Sequence, residues 1–530
     1  MDQQAFLAID LGAESGRAMV ATLDLASLGA GELGTRTPRS GRGGARGRGG
    51  DAAPILALEE VHRFPNHPCR LPTGWHWNVT GLWENVLEGT RKAVTLAKER
   101  GLPLVSLGVD TWGVDYGLLG RSGQLLGLPY CYRDERNGPA FEKTIARLGR
   151  EVLYEATGIQ FMALNTLFQL VAQHDAEPAL LDHAARLLFM PDLLHYFFTG
   201  ESVVESSIAS TSQMIDPRTG QWVLELLAGL GLPTQMLGPT VPSGTPIGPM
   251  TRELGIALEA DASLRVIAPA AHDTASAVAA VPADPATRWC YLSSGTWSLL
   301  GAELPRPCIT SKSREAPFTN EGGVGGTIRF LKNITGLWLV QECRRHLESH
   351  GEHRDYAELT EAAERASPFR TLIDTAHAPF LAPGEMPAKI AAFARRTRQP
   401  EPAGTGELIR CCLESLALTY RRTLSQLEEV LGTRFDVLHI VGGGARNRLL
   451  NQMAADATNR RVLAGPAEAT AIGNVLVQAM GAGLVEDLAH IRRVVRGSVS
   501  PEIYEPRETA CWDRAHERFC ALLDRRGAGG

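Results

Sequence analysis

Residues 5–20 read AFLAIDLGAESGRAMV, and their pattern decides the architecture. Phe6 to Ile9 is a short apolar run ending at Asp10, Gly12 and Gly16 supply a turn, and Ala18 to Leu23 resumes as a strand. A turn that binds phosphate needs glycines, which admit close backbone approach, and N–H or hydroxyl donors. Gly12-Ala13-Glu14-Ser15-Gly16-Arg17 offers both together with a cation, and Asp10 at the strand end can hold Mg²⁺ through water. A glycine hairpin with no ligand carries the same pattern, so this unit alone leaves function open.

The pattern returns far downstream. Cys290 to Gly301, CYLSSGTWSLLG, is a second strand, turn, strand unit with Ser293-Ser294-Gly295-Thr296 at its turn, late enough to open a second domain. Two such turns, one in each half, can grip a polyphosphate from both sides of a cleft. Leu56 to Phe64 extends the first sheet, and Leu104 to Asp110 reads as a buried strand leading into Asp110-Thr111-Trp112-Gly113-Val114-Asp115. Leu264 to Ala268 delivers Ala271-His272-Asp273-Thr274 to a small-residue helix over Ala275 to Ala280. Leu408, Cys412, Leu416, Leu424, Leu427 and Leu431 recur at helical spacing, closed by Gly432. Val437 to Val441 is then a strand, Gly442-Gly443-Gly444 a tight turn, Asn447 to Ala457 a helix and Arg461 to Ala464 a strand. This alternation predicts an α/β protein.

At 530 residues the chain exceeds what one core supports, so two to four domains are expected. Fifty-three basic against 59 acidic residues leave a net charge of −6, which does not suit a nucleic-acid-binding domain. Residues 30–54 are the exception. Their Arg-Gly-Gly repeats and lack of apolar residues predict a disordered surface insertion, solvated rather than bound to RNA. Asp2 and Asp10 leave no secretion signal at the N-terminus, and no run of 18 apolar residues occurs. The nine cysteines are scattered with no Cys-x-x-Cys pair, which points to a reducing cytoplasm.

Some chemistries drop out. No Gly-x-x-x-x-Gly-Lys-Ser/Thr motif occurs, which disfavours the P-loop class, and Val441-Gly442-Gly443-Gly444-Ala445 completes only half of a dinucleotide fingerprint. His346, His350 and His353 share a helical face, but Gly351 weakens that helix and a charged helix end explains them better than a metal. Asp273 has two readings. A carboxylate there can take a proton from a sugar hydroxyl as it attacks phosphorus, or it can cap the helix through the backbone of Ala275 or Ser276.

Taken together the motifs resemble the FGGY carbohydrate kinases over most of the chain. The phrases that carry the likeness are Asp10-Leu11-Gly12-Ala13-Glu14-Ser15-Gly16-Arg17, Asp110 to Asp115, Gly158-Ile159-Gln160-Phe161, Phe189-Met190-Pro191-Asp192, His272 to Ser276, Ser293 to Ser298, Leu331-Lys332-Asn333-Ile334 and Val441 to Gly444. The resemblance implies two actin-like, ribonuclease-H-like domains, 1–282 on the sugar side and 283–530 on the nucleotide side, with the active site in the cleft between them. Within the family the likeness is to members that phosphorylate L-rhamnulose at its 1-hydroxyl with ATP and Mg²⁺ in rhamnose catabolism. It implies that Asp273 is the base, that Ala13, Glu14, Ser15, Gly16, Arg17, Thr296, Gln341 and Gly443 contact ATP, and that Gly113, His272, Thr274 and Asn333 line the sugar site. Two features depart from the family pattern: the insertion, and Glu14 where a small hydroxyl residue is usual. Glu14 is expected to point away from the nucleotide or to be neutralised by Arg17. Kinases of xylulose, ribulose or fuculose, and a non-catalytic actin-like ATP-binding protein, share much of the pattern. The expected partners are a small ketose and ATP, with no nucleic acid and no membrane; the oligomeric state is open, a monomer included.

Overall fold

A computed structural model describes residues 3–28 and 55–527, and the expected insertion at 30–54 lies outside the described residues. The first half is built on strands β1 (Gln3–Leu11), β2 (Ser15–Asp24), β3 (Leu56–Pro65), β4 (Leu104–Thr111), β5 (Thr245–Pro249) and β6 (Arg265–Ala268), in the order β5-β6-β4-β1-β2-β3. Strand β1 is buried from Ala5 to Leu11, as its uninterrupted apolar run requires of a strand covered on both faces. It pairs antiparallel with β2 and parallel with β4, a register that sets Asp10 opposite Arg17 on one side and Asp110 on the other.

The second half repeats the scheme. Strands β7 (Trp289–Ser294), β8 (Trp297–Leu304), β9 (Thr319–Gly322), β10 (Ile328–Thr335), β11 (Val437–Val441), β12 (Arg461–Ala464) and β13 (Glu502–Tyr504) lie in the order β9-β10-β8-β7-β11-β12-β13. Here β7 is antiparallel to β8 and parallel to β11, as β1 is to β2 and β4. The echo between the two sequence units is thus an echo of topology, which hydrophobic pattern preserves when residue identity does not.

The helices that bear on the site are α1 (Val79–Glu99), α2 (Asp273–Ala279), α3 (Trp338–Ser349), α4 (Thr405–Leu431), α5 (Arg448–Thr458) and α6 (Ala469–Gly481). Helix α4 ends at Gly432 in the left-handed conformation, φ 61°, as its sequence predicts. Helices α2 and α6 form a core shared by the two halves. Phe6 and Ala8 of β1 face it together with Tyr291 and Leu299 of the second sheet, whereas Leu7 and Ile9 face the first half's own core. Small residues allow the close packing of this helix pair. A Cβ on Gly473 would meet the backbone oxygen of Ser276 at 1.8 Å. Although α6 follows the second sheet in sequence, it packs on β1 and β4 of the first.

Two expectations shift. Helix α2 begins at Asp273 rather than Ala275. The N–H groups of Ala275 and Ser276 donate to the carbonyl of His272 at 2.7 and 3.2 Å, so Asp273 does not cap them. Gly442 to Gly444 is tight for a packing reason as well as a turn, since a Cβ on Gly444 would meet Ser294 Oγ at 2.0 Å. Among the described residues no helix is long and apolar enough to cross a membrane.

Candidate active site

The glycine turns of the two sheets face a common cavity of about 410 Å³. Asp10, Ala13, Ser15 and Arg17 border it from the β1–β2 unit, and Thr296, Gln341 and Gly443 from the second half. Gly113, His272, Asp273, Thr274 and Asn333 border the same space, so residues scattered over more than 430 positions meet in one place. Asp273 keeps 31% of its side chain exposed at the cavity edge. The Oε1 atom of Gln341 has no hydrogen-bond partner among the described residues, leaving an acceptor for a ligand.

Gly16 and Glu14 do not border the cavity. Gly16 lies under the ring of Phe64, where a Cβ would come within 2.3 Å of a ring carbon. Glu14 accepts a hydrogen bond from Arg345 of α3 at 2.5 Å, so the expectation that Arg17 neutralises it is corrected. Arg17 is already committed, donating to both Asp10 and Glu468. Asn66 pins the turn by donating to the carbonyls of Gly12 at 2.8 Å and Glu14 at 2.9 Å. The Glu14 and Arg345 side chains are 38% and 46% exposed, which predicts that Glu14→Ser changes unfolding free energy by less than about 1 kcal/mol. Denaturant titration checks this, and a loss of several kcal/mol would contradict it.

The floor of the cavity carries Asp10, with Asp110 buried behind it and not bordering the cavity. Burial raises the Asp10 carboxyl above its ordinary range, with Arg17 opposing the shift and Asp273 adding to it. Burial, followed by the neighbouring charge of Asp10, pushes Asp110 well up. Asp110 accepts from Asn474 of α6 at 2.6 Å, a further tie between the halves. Such a floor suits a divalent cation. Among the described residues no three His, Cys, Asp or Glu side chains form a cluster that would cage one. Mg²⁺ takes one or two carboxylates and fills its octahedron with phosphate oxygens and water, so Asp10 beside the two glycine turns of the cavity fits it.

The loop after β4 shapes another wall. Asp115 N–H donates to Gly113 O at 3.0 Å, a three-residue turn that puts Val114 at φ 70°. A β-branched residue adopts that backbone only under constraint. The constraint is visible: Val114 N–H donates to Thr211 Oγ1 at 3.1 Å, and Thr166 Oγ1 donates to Val114 O at 2.7 Å. Asp115 underneath accepts from the indoles of Trp77 at 2.5 Å and Trp112 at 2.9 Å, from Gln169 at 2.9 Å and from the Tyr132 amide at 3.2 Å. Burial outweighs these four donors and raises Asp115 to about 6. A carboxyl raised in the folded state stabilises the fold below its unfolded pKa and loses that contribution as pH rises through the folded value. Wild-type stability therefore carries a declining component between about pH 4 and 6 that Asp115→Asn lacks. Denaturation midpoints across that window measure the difference, and parallel curves would contradict it.

Several residues here escaped the sequence. Gln160 Oε1 accepts from the backbone N–H of Asn333 at 2.9 Å and its side-chain amide at 3.3 Å, fixing Asn333 across the cleft. Glu321 and Arg329 stand behind His272. Asp115 and Gln160 belong to motifs that carry the family resemblance but have no role implied by it, and nothing local marks Glu321 or Arg329.

Glycine turns from two sheets bordering one cavity, with Asp10 beside them and the accessible carboxylate of Asp273, are features that in-line phosphoryl transfer to a hydroxyl can use. The chain belongs to the FGGY family of carbohydrate kinases: the model of that family's N-terminal domain matches residues 60–280 and that of its C-terminal domain residues 290–482. Among curated relatives, the rhamnulokinase of Bacteroides thetaiotaomicron is 41% identical over 517 residues, covering 98% of this chain and 99% of its own. The rhamnulokinase of Bacillus subtilis is 36% identical, covering 95% and 96%. The fold is similar to that of xylulose kinase from Lactobacillus acidophilus, with a TM-score of 0.76 and 14% identity, each chain covered to 99%. Glycerol kinase from Plasmodium falciparum with ADP has a TM-score of 0.73 at 14% identity, covering 99% of this chain and 98% of its own.

Proposed function

We propose that this protein transfers the γ-phosphoryl group of ATP to the 1-hydroxyl of L-rhamnulose, giving L-rhamnulose 1-phosphate and ADP in rhamnose catabolism. The observation that carries the reaction class is the single cavity in which Asp273 faces both phosphate-sized turns. The substrate rests on the full-length likeness to proteins named rhamnulokinase.

The backbone of Ala13 and the backbone and hydroxyl of Ser15 hold the phosphates from the first half, with Arg17, tied to Asp10 and Glu468, adding its charge beside them, and Thr296, Gln341 and Gly443 hold the nucleotide from the second. Gly113, His272, Thr274 and Asn333 orient the ketose so that its 1-hydroxyl lies against Asp273. That carboxylate removes the hydroxyl proton as the oxygen attacks the γ-phosphorus. Asp10 would hold Mg²⁺, which supplies neutralisation of charge on the phosphates. Closure of domains 1–282 and 283–530 excludes water from the transferring group. The nine cysteines are all free, which supports a cytoplasmic setting.

ADP release measured on L-rhamnulose, L-fuculose, D-ribulose and D-xylulose tests the substrate. Turnover is expected to be highest on L-rhamnulose. A preference for any other ketose would transfer the assignment to that sugar, and no turnover on any would favour the non-catalytic ATP-binding reading.

A further inference from the structure

His272 precedes the proposed base, and its ring is clamped from the opposite half of the molecule. Glu321 on β9 and Arg329 on β10 are register partners whose Oε2 and Nη1 stand 3.0 Å apart, an ion pair rather than an aligned hydrogen bond. Arg329 is 0% exposed, Glu321 4% and His272 7%. Arg329 forks: its Nε donates to Gly322 O at 2.9 Å while its Nη2 stands 3.1 Å from His272 Nδ1. On the far side of the ring, His272 Nε2 lies 3.4 Å from Asp273 Oδ1. Strand β9, an edge of the second sheet, is itself docked on the first half. Asn320 N–H donates to Gly158 O at 2.9 Å, and Gly322 N–H donates to Ser210 Oγ at 2.8 Å.

A guanidinium can only donate, so the atom it faces must carry a lone pair. His272 Nδ1 is then unprotonated and the ring proton sits on Nε2, the nitrogen on the Asp273 side; that contact is a charge-dipole approach rather than an aligned hydrogen bond, and Asp273 Oδ1 also accepts from Thr274 N–H at 2.5 Å and Thr274 Oγ1 at 3.1 Å. The opposite tautomer would set two donors against each other at Nδ1 and a bare Nε2 against a carboxylate. Glu321 Oε2, 3.3 Å from the same Nδ1, offers the competing acceptor. Its charge is answered by Arg329 instead, since removing either partner of so buried a pair leaves an uncompensated ion. Burial alone would raise the Glu321 carboxyl, yet the positive charge beside it, that of Arg329 first, outweighs burial and holds it below its ordinary range.

We propose that Glu321 and Arg329 are positioning residues for Asp273: their clamp holds His272 as the Nε2–H tautomer, so that an N–H rather than a lone pair faces the carboxylate, which Thr274 also holds, while the two halves are docked through β9. The proposal rests on Asp273 being the base.

Full-length protein labelled with ¹⁵N-histidine tests the clamp directly, with His272 assigned by the resonances lost in His272→Gln. The expected spectrum shows an unprotonated Nδ1 and a protonated Nε2 for His272; a protonated Nδ1 in the wild type overturns the clamp whether or not any variant folds. In kinetics, Glu321→Gln and Arg329→Lys, the latter keeping the charge but losing the fork, are each expected to lower kcat by on the order of 10²-fold with the KM for ATP little changed. In a His272→Gln background the same substitutions are expected to cost little more. Undiminished losses in that background, or a normal kcat in both single variants, overturn the proposal. A normal kcat in Asp273→Asn would remove the base assignment itself, an outcome distinct from a wrong tautomer.

Discussion

Asp273→Asn is expected to lower kcat by roughly 10²- to 10⁴-fold while ATP binding stays close to wild type. The substitution keeps size and shape at the first residue of α2 and removes only the ability to take a proton. The N–H groups of Ala275 and Ser276 are bonded to the His272 carbonyl, and the carboxylate's own tie to the helix start, Oδ1 accepting from Thr274 N–H at 2.5 Å and Thr274 Oγ1 at 3.1 Å, is one that the asparagine side-chain oxygen can keep. Activity and stability should therefore separate. Steady-state kinetics beside nucleotide titration distinguishes the cases: near-normal kcat would remove Asp273 from the chemistry, whereas parallel loss of ATP binding would make it part of the nucleotide site.

Gly473→Ala is the second substitution with a large expected effect, and it lies where α6 packs against α2, outside the lining of the cavity. Its new methyl would fall 1.8 Å from Ser276 O and 2.5 Å from Ser276 C, atoms of a backbone that cannot rotate aside. Helices α2 and α6 must part, and both are buried between the sheets. Overpacking of this kind costs about 1–3 kcal/mol. Because α2 starts at Asp273, the same movement displaces the base, and a displacement near 1 Å costs on the order of 10²-fold in rate. Thermal unfolding and kcat measured on one preparation check both effects. Unchanged stability would mean that the two helices separate freely, contrary to their packing.

The strands nearest the site were legible because each is an apolar run bounded by glycine or a carboxylate, as at Phe6 to Asp10 and Cys290 to Gly295. Helix α4 was legible for the complementary reason, a stripe at helical spacing closed by Gly432. Helix α2 was legible as a run of small residues over Ala275 to Ala280, whereas α6 was not: its residues, Ala471 and Gly473 among them, make no stripe, because a helix buried between two sheets is small or apolar on every side. The site residues were nameable one by one, but their partners were not. Glu14 meets Arg345, which is 331 positions away, and Arg17 meets Glu468 at 451. From the sequence, Glu14 is expected either to point away from the nucleotide or to be neutralised by Arg17; it stands off the cavity, and the docking of the second half supplies Arg345 to it and Glu468 to Arg17. The clamp on His272 was invisible for the same reason, since Glu321 and Arg329 read locally as ordinary charges on a strand.

Transfer to a defined hydroxyl of a defined ketose is open to one direct measurement. L-rhamnulose labelled with ¹³C at C1 is incubated with ATP, Mg²⁺ and the full-length protein, and the product is followed by ¹³C and ³¹P NMR. The predicted result is ADP formation with a C1 resonance newly split by phosphorus. ADP formation without that splitting, or no sugar phosphate beside efficient phosphorylation of another ketose, would contradict the assignment.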